Sequence, residues 1–276
     1  MQFITIESLS QLKNLEQTSK CIKFGNKFNE KVIIPQNAKQ IIFGETFNKK
    51  IKIPHHTTHL TFEYIEYVQG NNNFANTYGI EDSCMTNYMK IILYKILKKV
   101  EQHDFNQKIK IPQNITHLTF GIKFTRKIKI PQNITHLTLG YYFYQKIKIP
   151  QNITHLTLGC YFKQKIKIPQ NITHLNIKNN FYSKKIIFNQ NIIYLQICYS
   201  YCNNLIIPHN ITHITFKHQQ HIPMFFDYEK TVSEHSRNIK TIIPANVTQI
   251  STSQHVTIKN MRFVSKINAI KFTTVE

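Results

Sequence analysis

Six histidines stand in one recurring setting: His59, His117, His136, His155, His174 and His213 each follow a threonine and precede leucine or isoleucine. Side chains repeated at a fixed period line up in columns, so the chemistry open to this chain is the chemistry of columns. Stacked imidazoles could ligate a metal, but no carboxylate or thiolate accompanies them in the unit, so no metal or cofactor is assigned. Thr61, Thr119, Thr138, Thr157 and Thr215 share the outward positions. Read as an exposed His/Thr face, this column predicts a pH response. Below about pH 6.5 it would gain up to six charges and loosen the fold.

Lysine supplies the second set. Lys108, Lys127, Lys146 and Lys165 should form one column, joined by Lys50 and Lys185; Lys110, Lys129, Lys148 and Lys167 should form another, joined by Lys52. Like charges at strand spacing repel. The chain carries 35 Lys+Arg against 14 Asp+Glu, a formal +21, and residues 105–226 contain no acid at all. Two readings stay open: a solubilising, edge-blunting surface, or a face for an anion such as acidic protein, membrane phosphate or nucleic acid. Arginine is scarce (Arg126, Arg237 and Arg262) and no nucleic-acid motif is present.

Enzymatic chemistry finds no footing. The regular units hold no paired carboxylates, and no GxSxG, HExxH, P-loop or GxGxxG pattern occurs. Cys160 follows His155 by five positions without further catalytic logic, and Cys198 and Cys202 have no second pair facing them. The five cysteines are irregularly spaced, and the N-terminal residues lack the pattern of a signal peptide. A reducing, cytoplasmic setting is therefore expected, and the Asn-Ile-Thr sequons are read as by-products of the repeat. No run of about 20 apolar residues could span a membrane.

These columns need a periodic scaffold, and the sequence contains one. Phe105 to Gly121 returns as Phe124 to Gly140, Phe143 to Gly159 and Phe162 to Lys178, with Pro112, Pro131, Pro150 and Pro169 each 19 residues apart. Lys108-Ile109-Lys110-Ile111 and His117-Leu118-Thr119-Phe120 alternate polar and apolar residues and predict two short strands per unit. Pro112 should end the first strand. Gly25, Gly44, Gly121, Gly140 and Gly159 occupy one repeat position, which suggests a turn needing positive φ. Phe105, Ile109, Ile111, Ile115, Leu118 and Phe120 must be buried, which one unit alone cannot do. The expected fold is an all-β repeat solenoid: about eleven coils, two short parallel strands each, in two ladders at roughly 4.8 Å spacing.

The units resemble FNIP repeats, relatives of leucine-rich repeats. Phe28-Asn29 with Ile34-Pro35, Phe47-Asn48 with Ile53-Pro54, and Phe105-Asn106 with Ile111-Pro112 carry the likeness, while Thr125, Tyr144 and Lys163 replace the asparagine in later copies. The resemblance implies a leucine-rich-repeat-like solenoid. Where an F-box precedes such repeats it implies a ubiquitin-ligase substrate-recognition module; residues 1–20 are too few for that box, and no F-box is recognisable here.

The organisation read from the sequence is an N-terminal cap at 1–20 and coils at 21–63. An insertion at 64–104, with a helix near 83–101, interrupts them before regular coils resume at 105–216. Degenerate coils and a C-terminal cap fill 217–276. The function expected is a non-enzymatic scaffold for an unidentified protein partner. Its candidate surfaces are His117, His136, His155 and His174 and the Lys108, Lys110, Lys127, Lys129, Lys146, Lys148, Lys165 and Lys167 columns. Polyanion or nucleic-acid binding through lysine is the alternative.

Overall fold

A computed structural model describes residues 3–13, 20–63, 105–159, 162, 164–178, 186–198, 207–217, 242–253, 262–263 and 271–275. The expected insertion helix and the 217–240 excursion lie outside the described residues, apart from Lys217.

The second strand of each unit forms a parallel ladder running the length of the molecule. Its members are β1 (Ile4–Ile6), β2 (Cys21–Phe24), β3 (Gln40–Phe43), β4 (His59–Phe62), β5 (His117–Thr119), β6 (His136–Thr138), β7 (His155–Leu158), β9 (His174–Ile177), β11 (Tyr194–Cys198), β12 (His213–Lys217), β14 (Gln249–Ser253) and β16 (Lys271–Val275). They stack in chain order in one 12-stranded sheet. A short helix, α1 (Leu9–Lys13), follows β1. Register follows the repeat: His117 pairs with His136, His136 with His155, and His155 with His174. β4 pairs directly with β5 although 58 residues separate their partners, so the ladder is continuous from one to the other.

Tight turns close both ends of each coil. The Ile115 N–H donates to the Pro112 carbonyl, repeated from Ile134 to Pro131 and Ile172 to Pro169. At the other end the Phe143 N–H donates to the Gly140 carbonyl and the Phe162 N–H to the Gly159 carbonyl, each at 3.1 Å. No glycine of the repeat column has positive φ, which corrects the reason expected for its presence. Close approach is what excludes a side chain: a Cβ on Gly140 would lie 1.9 Å from the Gly121 carbonyl oxygen. Where Asn189 replaces the proline it is buried. Its amide donates to the Pro169 and Ile172 carbonyls, and its Oδ1 accepts the Asn191 N–H at 2.7 Å.

Inside, one apolar core runs from Ile6 to Ile250. Phe105, Ile111, Ile115, Leu118 and Phe120 are buried, and Ile109 is partly buried against them. Phe28, Phe47, Phe105, Phe124 and Phe143 form a column of near-parallel rings. The asparagine beside them ties coil to coil. Asn29 Oδ1 accepts the Asn48 N–H, Asn48 Oδ1 accepts the Asn106 N–H, and Asn106 Oδ1 accepts the Thr125 N–H, at 3.0–3.1 Å.

The second ladder is shorter than predicted. On that side only β8 (Ile166–Lys167) pairs with β10 (Ile186–Ile187), and β13 (Ile242–Ile243) with β15 (Arg262–Phe263), among the described residues. Curvature explains the difference. Successive imidazole centroids on the sheet's outer face are 4.0–4.1 Å apart, whereas rings of the deep phenylalanine column are 6.1–6.4 Å apart. Strand pairing needs about 4.8 Å, so rungs that fan apart lose it on the far side. A gain of about 2 Å across a coil roughly 10 Å deep is a rotation of about 12° per rung. The continuous sheet is thus the concave face, and the lysine segments form the convex back.

Candidate functional site

The strand alternation fixes the concave face. Leu118, Leu137, Leu156 and Leu175 point into the core, so the histidines before them point out. His59, His117, His136, His155 and His174 stack in one continuous column, each ring half-buried by its neighbours. Tyr194 continues it at 4.3 Å and His213 follows at 4.3 Å. Gln40 and Gln249 occupy the same register beyond these rings.

Each ring is held by the threonine preceding it. Thr116 Oγ1 lies 2.9 Å from His117 Nδ1, and the same contact recurs at Thr58–His59, Thr135–His136, Thr154–His155 and Thr173–His174. It recurs at 2.7 Å in Thr212–His213. The Thr58 carbonyl already accepts the Thr116 N–H at 2.8 Å and the His117 N–H at 3.1 Å, which uses both lone pairs. The Thr116 hydroxyl is 3.2 Å from that carbonyl, a longer contact than the 2.9 Å to Nδ1. The hydroxyl proton is therefore assigned to Nδ1 and the ring proton to Nε2. The column presents a row of outward N–H donors flanked by Thr119, Thr138 and Thr157.

Burial pushes the pKa of His59, His117, His136, His155 and His174 down, and neighbouring imidazoles add to the effect at His117, His136 and His174. His117 is lowered to about 4, first by desolvation and then by His59, His136 and His155. His59, His117, His136, His155 and His174 therefore take up charge below the ordinary imidazole range, not at the pH 6.5 expected for an open His/Thr face. In this tautomer the outward nitrogens carry protons rather than lone pairs, and stacked rings aim them in parallel, not toward one point. Among the described residues no cluster of three or more His, Cys, Asp or Glu could hold a metal ion. Cys21, a free thiol, is buried.

The lysines lie on the other side of each coil. Lys108, Lys110, Lys127, Lys129, Lys146, Lys148, Lys165 and Lys167 are all exposed, on segments whose intervening isoleucines face the core. Lys167 pairs in register with Ile187. Among the described residues none of these eight ammonium groups meets a carboxylate; the ion pair described is Lys23–Glu63, 2.9 Å, near the N-terminal end. The histidines and the lysines of the candidate set therefore occupy opposite faces, not one site. Sequence reasoning missed the Thr58, Thr116, Thr135, Thr154, Thr173 and Thr212 hydroxyls that fix the rings. The repeated Thr-His dipeptide was the available signal. It also missed Tyr194 in the histidine column, where the preceding spacing is 20 rather than 19.

Comparison with known proteins follows the repeat. The FNIP Repeat family matches residues 26–64, 105–142, 127–161 and 143–180. No curated protein matches the chain significantly. A solved structure titled "The crystal structure of CroV588 a novel circular LRR protein structure" is similar over 94% of this chain at 22% identity, with a TM-score of 0.42. The chain spans 34% of that protein's length.

Proposed function

From the premise that this chain carries FNIP repeats, we propose that it is a non-enzymatic scaffold that docks a folded protein on its concave His/Thr face. The uninterrupted column from His59 to His213 supports this most directly. It is a strip of stacked polar rings on one continuous sheet, and solenoid concave faces are extended binding surfaces. Its curvature suits a partner of matching size. A rotation of about 12° with rings about 4 Å apart gives a radius near 20 Å, close to that of a domain of about 100 residues and far wider than one helix.

Affinity capture from the native cell at two salt concentrations tests the reading. Wild type is compared with His136→Glu/His155→Glu and with Lys127→Gln/Lys129→Gln. The reading expects one defined protein, lost with the histidine variant and retained with the lysine variant at both salts. Loss with the lysine variant alone, or at high salt alone, would contradict it.

A further inference from the structure

We propose that the convex back is a second, independent site that seats on an anionic lipid surface. Five lysines of the second column, Lys52, Lys110, Lys129, Lys148 and Lys167, are bracketed in register by isoleucines that point to water. Ile33, one repeat before Lys52, is 88% exposed, and Ile187, paired with Lys167, is 50% exposed. Lys31, Lys50, Lys108, Lys127, Lys146 and Lys165 run alongside and are also exposed. Tyr144, 52% exposed, lines a cleft with Lys108 and Lys127.

Neutralisation from within is slight. Glu30 is the carboxylate whose register places it beside these columns, at their N-terminal end, and residues 105–226 contain no acid. A solubilising surface would not need bulky aliphatic side chains at both ends of the lysine row. On a convex face one end of the row meets a flat bilayer at a time, and there an exposed isoleucine gains the headgroup–acyl boundary, a partner that a phosphate backbone does not offer. Nucleic-acid readers also favour arginine's bidentate contacts, and this face carries Arg126 amid ten lysines of the two columns from Lys50 to Lys167. Lysine, a flexible point charge near an anionic membrane, contributes additively and without a fixed geometry. The site is distinct from the concave face, so either can fail without the other.

The test is co-sedimentation of the full chain with phosphatidylcholine vesicles, with and without 30% phosphatidylserine, at two salt concentrations. Binding to the phosphatidylserine vesicles is expected, falling steeply with salt. Each lysine replaced by glutamine should weaken it about fivefold. Lys110→Gln/Lys129→Gln/Lys148→Gln/Lys167→Gln should therefore lose at least 100-fold, with an unchanged circular dichroism spectrum. Ile33→Ser/Ile187→Ser should weaken vesicle binding while leaving retention on 20-base-pair duplex DNA unchanged. No binding to anionic vesicles, equal binding to neutral ones, or tighter binding to the duplex than to vesicles of matched charge would overturn the proposal. So would indifference to the isoleucine substitutions.

Discussion

Acidification should destabilise this protein through its unfolded state, and His117 allows the effect to be worked through. Its imidazole titrates near 6.5 in the unfolded chain and at about 4 in the stack. Between those values the unfolded chain binds a proton that the folded one refuses, so stability is fully present above pH 6.5 and is lost as pH falls toward 4. The gross linkage is near 3 kcal/mol. The ring is only half-buried, and screening by the solvent on its open side reduces this to about 1 kcal/mol. Glutamine occupies the same column at positions 40 and 249, so His117→Gln removes the titration while keeping a side chain the column accepts. Urea unfolding of both proteins at pH 7.5, 6.5, 5.5 and 4.5 measures the difference. Wild type should lose about 1 kcal/mol more than the variant across that range. Parallel pH profiles, or a wild type that gains stability on acidification, would refute the reasoning.

Three further outcomes follow from the packing. Gly140→Ala forces a Cβ to 1.9 Å from a carbonyl oxygen and should cost about 1–3 kcal/mol, whereas Gly121→Ala meets its nearest atom at 3.4 Å and should be tolerated; chemical denaturation of the pair compares them. Phe124→Ala empties a fully buried site 4.0 Å from Phe120 and should cost about 3–5 kcal/mol, with the coils on either side melting separately because each touches only its neighbours; calorimetry should show two transitions. Thr135→Val removes the donor to His136 Nδ1, and nitrogen NMR should show that ring alone leaving the Nε2–H tautomer.

The period carried most of the fold into view. Pro112 to Pro169 at equal steps and the inward Leu118 and Phe120 required stacked coils, because a single unit cannot bury its phenylalanine. The alternation at Lys108–Ile111 was a weaker guide. It correctly aims Ile111 inward, but alternation reports which side faces the core, not whether neighbours come close enough to pair. That depends on the fan of the rungs, which no single unit encodes. The glycine column was visible while its cause was not, since a glycine chosen for close approach and one chosen for positive φ look alike in sequence. The candidate histidines and lysines were legible as two sets. Their separation onto opposite faces follows from the two turns of each coil, and the lowered histidine pKa values follow from ring stacking that only the assembled column creates.

Both proposed faces require a curved stack with the histidine side on the inside of the curve. Nitroxide labels on unnatural amino acids, which leave the five native cysteines untouched, can measure that curvature by pulsed electron resonance. Labels at 40 and 174 span five rungs on the sheet face, and labels at 31 and 165 span five on the lysine face. Ring spacings of about 4 Å and 6 Å place the first pair about 20 Å apart and the second about 30 Å apart. Equal separations, or a longer one across the sheet face, would contradict the concave face and the division of labour built on it.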